Sequence, residues 1–293
     1  MFSGMQLAWL ASVLAMEDVA ALSLDGIRNF RSVLGDAEAH PWFRCATLDS
    51  ATTGDVTVLQ ADRSPLLGGR RLKTIIDLRN PDEVRPQKRS AASAAFYDSF
   101  EQSAIDYRPI PLLSDTNAFW GQVKLRMDPT ELLWAQTALL VTGKVMDRAL
   151  TKTLEEGGLP LLYQITLVIG ARDIGEVLDL CLAAAQKNEG LVFHCHKGKD
   201  RTGLVAMLLQ HVVGWNKQDI TASYSLSETL LDEDKDRASE GTIDWSNFRG
   251  SPPSAMSQTL AWLNTEYGSV DSYLDDCGFG AEKRDQLRAA LVR

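Results

Sequence analysis

The ten residues His194-Cys195-His196-Lys197-Gly198-Lys199-Asp200-Arg201-Thr202-Gly203 bring together a thiol, three cations, two glycines and a hydroxyl. They follow the apolar run Leu191–Cys195 (LVFHC) and open the apolar run Leu204–Val213. The order is strand, glycine-containing turn, helix. In open α/β sheets, sites lie at the carboxyl ends of strands, where such turns sit. The amides of the turn and of the first helical turn lack intrahelical partners. Converging on one centre, they form a nest for a tetrahedral oxyanion, strengthened by the helix dipole. Lys197, Lys199, Arg201 and the helix start favour a thiolate at Cys195, the form that attacks phosphorus. Arg201, after five intervening residues, carries a permanent charge and a planar fork able to hold two phosphate oxygens. Gly198 lets the backbone turn closely around the anion. Thr202 offers a hydroxyl to the thiolate or to the departing thiol.

The same residues also admit blander readings. A lone cysteine is usually a buried structural residue, but the register of Gly198, Lys199, Arg201, Thr202 and Gly203 favours a nucleophile. Lys197 and Lys199 are either phosphate contacts or solvated surface charges. Gly198-Lys199 is no nucleotide-binding loop, because Asp200 follows the lysine and Phe193 stands where that motif needs glycine. A metal held by His194, Cys195 and His196 would need further donors, and only His40 and His211 remain as imidazoles, neither at ligand spacing. No metal and no organic cofactor is expected. His194 is expected to hydrogen-bond within the loop.

Cys195 to Thr202 match the Cys-x5-Arg-Ser/Thr signature, and the sequence resembles the cysteine-dependent protein tyrosine phosphatase superfamily. The fuller His-Cys-x-x-Gly-Lys-Asp-Arg-Thr-Gly form is similar to its bacterial and fungal branch called tyrosine phosphatase family 3, active on phosphotyrosine and phosphoinositides. Asn29-Phe30-Arg31, Phe43-Arg44-Cys45-Ala46, Ile75-Ile76-Asp77-Leu78-Arg79, Ala222–Glu228 and Tyr267-Gly268-Ser269 resemble further elements of that branch, in order. His196-Lys197 depart from it, standing where small or apolar residues are usual. The resemblance implies a phosphomonoester hydrolase working through a phosphocysteine, with Cys195 as nucleophile, Arg201 and residues 196–200 and 202 around phosphate, and His194 and Gly203 in support. It also implies a general acid on a loop facing the cysteine. Asp115 matches the branch's position with an offset of one residue; Asp82 and Asp200 are the other candidates. Asp77 and Arg79 read as a structural pair at a strand end.

Elements that would position these residues are legible elsewhere. Strand-like runs are Trp42–Ala46, Val56–Leu59, Lys73–Leu78, Tyr107–Leu112 and Leu191–Cys195. Helical patterns cover Glu131–Glu155, Ala171–Lys187, Thr202–Val213, Ser254–Tyr267 and Ala281–Val292. Asn188-Glu189-Gly190 should stop the second of these. Alternating strands and helices predict an α/β fold, a mostly parallel sheet with helices on both faces. Residues 21–293 form the phosphatase-like domain. Residues 119–169 read as a helical insertion able to act as a lid. Residues 1–20 read as an N-terminal helix or loosely ordered segment: the apolar run Leu7–Ala15 is short, and no basic residue precedes Arg28, unlike a signal peptide.

The chain has 293 residues, 39 acidic against 30 basic, for a formal charge of −9. That field disfavours binding to nucleic acid or to anionic membranes, so an anionic ligand needs a local basic pocket. No run is apolar enough to span a bilayer. Four scattered cysteines argue against a disulfide scaffold and for a reducing compartment, hence a cytoplasmic location, with secretion as the alternative. The expected partner is a phosphotyrosine protein or a phosphoinositide. Alternatives are a phosphoinositide-preferring phosphatase, a non-catalytic phosphate-reading module, and another Cys-x5-Arg enzyme such as an arsenate reductase or a rhodanese-like sulfurtransferase.

Overall fold

A computed structural model describes residues 24–38, 40–138, 144–231 and 243–291. The expectation for residues 1–20 lies outside them. Among the described residues, five strands form one sheet: β1 (Arg31–Ser32), β2 (Trp42–Cys45), β3 (Leu72–Asp77), β4 (Asp106–Pro109) and β5 (Gly190–His194). Their order is β1-β2-β5-β3-β4. Only β1 runs antiparallel to its neighbour. β5 is central and buried at every residue, which is why it reads as an unbroken apolar run rather than an alternating one.

Alternate residues feed two cores. Trp42, Ile76, Leu191 and Phe193 face one, with Val177, Leu178, Val205 and Leu208 from helices. Phe43, Ile75 and Val192 face the other, with Leu59 and Phe96. The described helices of seven residues or more are α1 (Thr53–Gln60), α2 (Ala91–Asp98), α3 (Thr116–Lys124), α4 (Pro129–Ala138), α5 (Lys144–Ile169), α6 (Ala171–Lys187), α7 (Asp200–Val212), α8 (Lys217–Ser225), α9 (Pro253–Glu266), α10 (Val270–Asp276) and α11 (Ala281–Ala290). Both faces of the mostly parallel sheet are therefore covered, as the alternating pattern requires.

Several local expectations change. Val56–Leu59 is not a strand but part of α1. Its β-branched residues suggest a strand, yet Thr52 and Asp55 form a capping box, with Asp55 N–H donating to Thr52 Oγ1 (3.1 Å) and Thr52 N–H to Asp55 Oδ2 (2.8 Å). That start signal outweighs weak propensities over a few residues. The Tyr107–Leu112 strand ends at Pro109 instead, because Pro109 and Pro111 have no amide to donate to the ladder. The two-residue β1 was not read from sequence at all. The pattern over Glu131–Glu155 divides between α4 and α5, and residues 139–143 are outside the described set. α6 ends as anticipated, with Asn188 in the left-handed region at φ 52°.

α5 breaks at Gly158 (φ 52°, ψ −147°), two residues before Pro160. The break divides the 119–169 segment. Beyond it, Tyr163, Ile165 and Leu167 are fully buried in the main core. The sheet delivers three strand ends at one level: Cys45 of β2 and Asp77 of β3 are both register partners of His194.

Candidate active site

Cys195 follows β5 directly, and residues 195–199 bend back into α7. The sulfur-bearing residue is 2% exposed. The loop's shape is fixed from outside by its carbonyls. Leu78 N–H donates to His194 O (2.8 Å) and Thr47 N–H to His196 O (2.9 Å). Asn29 Nδ2 donates to Lys197 O (3.1 Å) and Gly198 O (3.0 Å). Arg44 Nη2 donates to Gly198 O (2.7 Å) and Lys199 O (3.5 Å). The peptides are trans, and in a trans peptide N–H points opposite C=O. With carbonyls 196 to 199 turned outward, the amides of residues 197 to 200 turn inward, where the start of α7 adds its own. Successive amides on one side of a loop suit an oxyanion. Gly198 has φ 67°, and a Cβ there would lie 2.2 Å from Cys45 O.

Arg201 is anchored at the rim. Its Nη1 donates to Leu78 O (3.2 Å) and Glu83 Oε2 (2.5 Å), and its Nη2 to Glu83 Oε1 (2.6 Å). Burial works against the guanidinium charge, but the Glu83 bonds and the nearby Cys195 sulfur outweigh it and raise its pKa. Burial likewise opposes the Glu83 carboxylate, yet the Arg201 bonds and charge hold its pKa low. Glu83 itself is fixed by the 3-10 turn Pro81–Glu83, accepting from Asn80 N–H (2.8 Å).

The other predicted residues fall as follows. His194 is fully buried, with Nδ1 3.3 Å from Cys195 O and 3.8 Å from Asp77 Oδ1. Burial lowers its pKa against the pull of Asp77. His196 is exposed, so the two histidines flanking the cysteine face different surroundings. Lys197 is half-buried. Lys199 points away from the expected phosphate position: its Nζ donates to Phe248 O (3.0 Å) and Gly250 O (2.6 Å) and lies 3.4 Å from Asp200 Oδ1. Asp200 accepts from Tyr163 OH (2.6 Å), and Tyr163 OH lies 2.6 Å from Tyr224 OH. Thr202 is buried, and its Oγ1 has no hydrogen-bond partner among the described residues. Gly203 is buried; a Cβ there would lie 3.3 Å from the Tyr224 ring.

Asp115 is exposed and caps α3, accepting from Ala118 N–H (2.8 Å). Its loop adjoins the rim through Asn80 Nδ2 donating to Leu113 O (2.9 Å). Asp82 is exposed, one residue before Glu83. Asp77 and Arg79 pair as anticipated, with Arg79 Nη2 donating to Asp77 Oδ2 (2.7 Å). Arg79 also donates to Asp49 Oδ2 (2.6 Å) and Thr47 Oγ1 (2.9 Å). Because Thr47 holds the His196 carbonyl, this pair braces the loop.

The whole described fold, loop included, falls within a match to the tyrosine phosphatase family over residues 22–293. The chain belongs to the tyrosine phosphatase family. A tyrosine-protein phosphatase of Nostoc commune is 30% identical over 123 residues, 37% of this chain and 41% of that protein. A Cupriavidus necator protein whose name places it among the tyrosine-protein phosphatases is 32% identical over 108 residues, 32% of this chain and 37% of that protein. The matched region thus spans less than half the length of either relative.

Within this tyrosine phosphatase family member, sequence reasoning missed Glu83 and found no role for Asn29, Arg44, Tyr163 or Tyr224. The Asn80-Pro81-x-Glu83 turn signal was available, but nothing local links it to Arg201, 118 residues away. Removing the Glu83 charge frees the Arg201 fork to wander. Glu83→Gln should therefore lower kcat/KM on para-nitrophenyl phosphate about 10- to 100-fold, the worth of a charge-assisted bidentate pair. Unchanged kinetics would show that Arg201 needs no such anchor.

Proposed function

We propose that the chain is a phosphomonoester hydrolase of the tyrosine-phosphatase type. The observation that supports the reading is the set of loop carbonyls, residues 196 to 199, bonded from outside, which turns the amides that follow them to the loop's other side. An S–P bond forms as the ester P–O bond breaks, with phosphate oxygens held by those amides and Arg201. The leaving oxygen takes its proton from Asp115. Water then adds to phosphorus, loses a proton to the same carboxylate and expels the Cys195 thiolate, releasing phosphate. Thr202 is assigned the role of donor to the departing sulfur, although its hydroxyl makes no hydrogen bond among the described residues.

The proposed substrate is a phosphotyrosine protein. A phosphoinositide reading counts on two loop ammoniums, and Lys199 is committed to Phe248 and Gly250. The proposed setting is cytoplasmic. All four cysteines are free and buried, and among the described residues no helix is long and apolar enough to cross a membrane. The proposed gate is α3, α4 and the first half of α5, whose neighbourhood exposes Leu125, Leu133 and Trp134.

The decisive experiment combines phosphate release from phosphotyrosine peptides and a phosphoinositide panel with acid quenching to trap phosphocysteine at residue 195. Failure on every phosphomonoester overturns the proposal; release from inositol lipids alone overturns its substrate. For the acid, Asp115→Asn should cut kcat about 100-fold on phenyl phosphate and much less on para-nitrophenyl phosphate, whose leaving group needs little protonation. An equal loss on both removes Asp115 from that role, and Asp200→Asn is then the variant to compare.

A further inference from the structure

Residues 244–251 run as a strap from the break in α5 to the loop that carries Cys195. At one end they close the first half of α5. Pro160 has no amide hydrogen to give and Gly158 leaves the helical region, so the helical ladder is interrupted there. Asn247 Nδ2 donates to Glu155 O (2.9 Å), and Asp244 N–H donates to Glu155 Oε1 (2.5 Å). A Cβ on Gly158 would lie 3.2 Å from Asn247 O, so the strap sits directly on the break. Its middle is the 3-10 turn Trp245–Phe248, capped by Asp244, which accepts from Ser246 N–H (2.9 Å). Phe248 is buried in the main core. At the other end, Glu228 Oε2 accepts from Ser251 N–H and Oγ.

Between those ends the strap is held by Lys199, which is 5% exposed. Its ammonium has three hydrogens to give. Phe248 O (3.0 Å), Gly250 O (2.6 Å) and Asp200 Oδ1 (3.4 Å) surround it. The next residue reaches the other side of the break. Asp200 Oδ1 accepts from Tyr163 OH (2.6 Å), and Tyr163 lies on the second half of α5. Two adjacent loop residues therefore grip both halves of the broken helix. The same two residues carry amides of the loop's inner side. Carbonyl 198, which precedes the Lys199 amide, is bonded from outside by Asn29 and Arg44, and carbonyl 199, which precedes the Asp200 amide, by Arg44. An anion on those amides immobilises the backbone from which both grips hang.

We propose that Lys199 is a positioning residue that sets the bend of α5 through this strap, so that phosphate on the loop steadies the first half of α5. The inference rests on the reading of the loop as a phosphate site and of that half-helix as part of the gate. Its test is hydrogen exchange over residues 144–157, followed by mass spectrometry with and without saturating inorganic phosphate. In the wild type, phosphate should slow exchange there about tenfold, the scale of one hydrogen bond to a charged group. Lys199→Met and Asn247→Ala should each speed exchange without phosphate and abolish the slowing, while calorimetry still records phosphate binding. A tie that is merely structural would speed exchange in both states alike and keep the wild-type ratio, which overturns the proposal. So does a wild type that binds phosphate with no change over residues 144–157. Lost phosphate binding in Lys199→Met, with the wild-type ratio kept in Asn247→Ala, would place the ammonium on phosphate and is equally fatal. If Lys199→Met does not fold, Asn247→Ala decides alone, since that side chain is exposed. A wild type that shows the slowing but hydrolyses no phosphomonoester sinks the function and leaves the coupling standing. A wild type that binds no phosphate overturns both.

Discussion

Cys195→Ser abolishes turnover, by about 10^4-fold or more, and leaves phosphate affinity intact. The substitution keeps the side chain's shape at a position only 2% exposed, so the fold survives. A serine hydroxyl at neutral pH is a far weaker nucleophile than a thiolate. The amides of residues 197 to 200 and Arg201 stay in place, since Thr47, Asn29 and Arg44 hold the loop carbonyls and Glu83 holds Arg201. Vanadate or phosphotyrosine-peptide binding, measured by calorimetry beside phosphate release, checks both halves. A non-catalytic phosphate reader would show nothing to lose, so unchanged function in this variant would overturn the enzymatic reading. Loss of binding together with turnover would mean that the loop is assembled around the sulfur.

Gly198→Ala removes activity by a different route. The residue sits at φ 67°, which costs a non-glycine residue about 1–2 kcal/mol. More severely, the new methyl would lie 2.2 Å from Cys45 O and 2.3 Å from Cys45 C. Those are backbone atoms of β2, a strand locked between β1 and β5, so the loop must give way instead. Its movement pulls the Gly198 carbonyl from Asn29 and Arg44 and misaims the amides. The expected result is a stability loss of about 2–4 kcal/mol and a fall in kcat/KM of about 10^3-fold. Gly214→Ala is the control, because φ is also positive there (88°) and nothing lies within 4 Å of the added carbon. Urea unfolding of both variants, with kinetics, separates packing from backbone strain. Equal stability of the two would refute the packing argument.

The sequence alone determined the part of this protein whose geometry is local. A cysteine, five intervening residues and an arginine between an apolar strand and an apolar helix constrain the loop within a few residues of itself, and β3, β5, α6 and the Asp77–Arg79 pair were legible for the same reason. Val56–Leu59 was misread because a short apolar run fits strand and helix alike until its cap is weighed. The supports of the loop were a different matter. Glu83 rather than Asp82 holds Arg201, Asn29 and Arg44 hold the loop carbonyls, and Lys199 turns toward Phe248 and Gly250. Except for Lys199, those pairs join residues more than a hundred positions apart. They exist because β5 inserts between β2 and β3, placing the ends of three strands side by side. Strand order is a property of the folded sheet, set by burial on both faces, and no local pattern of residues encodes it.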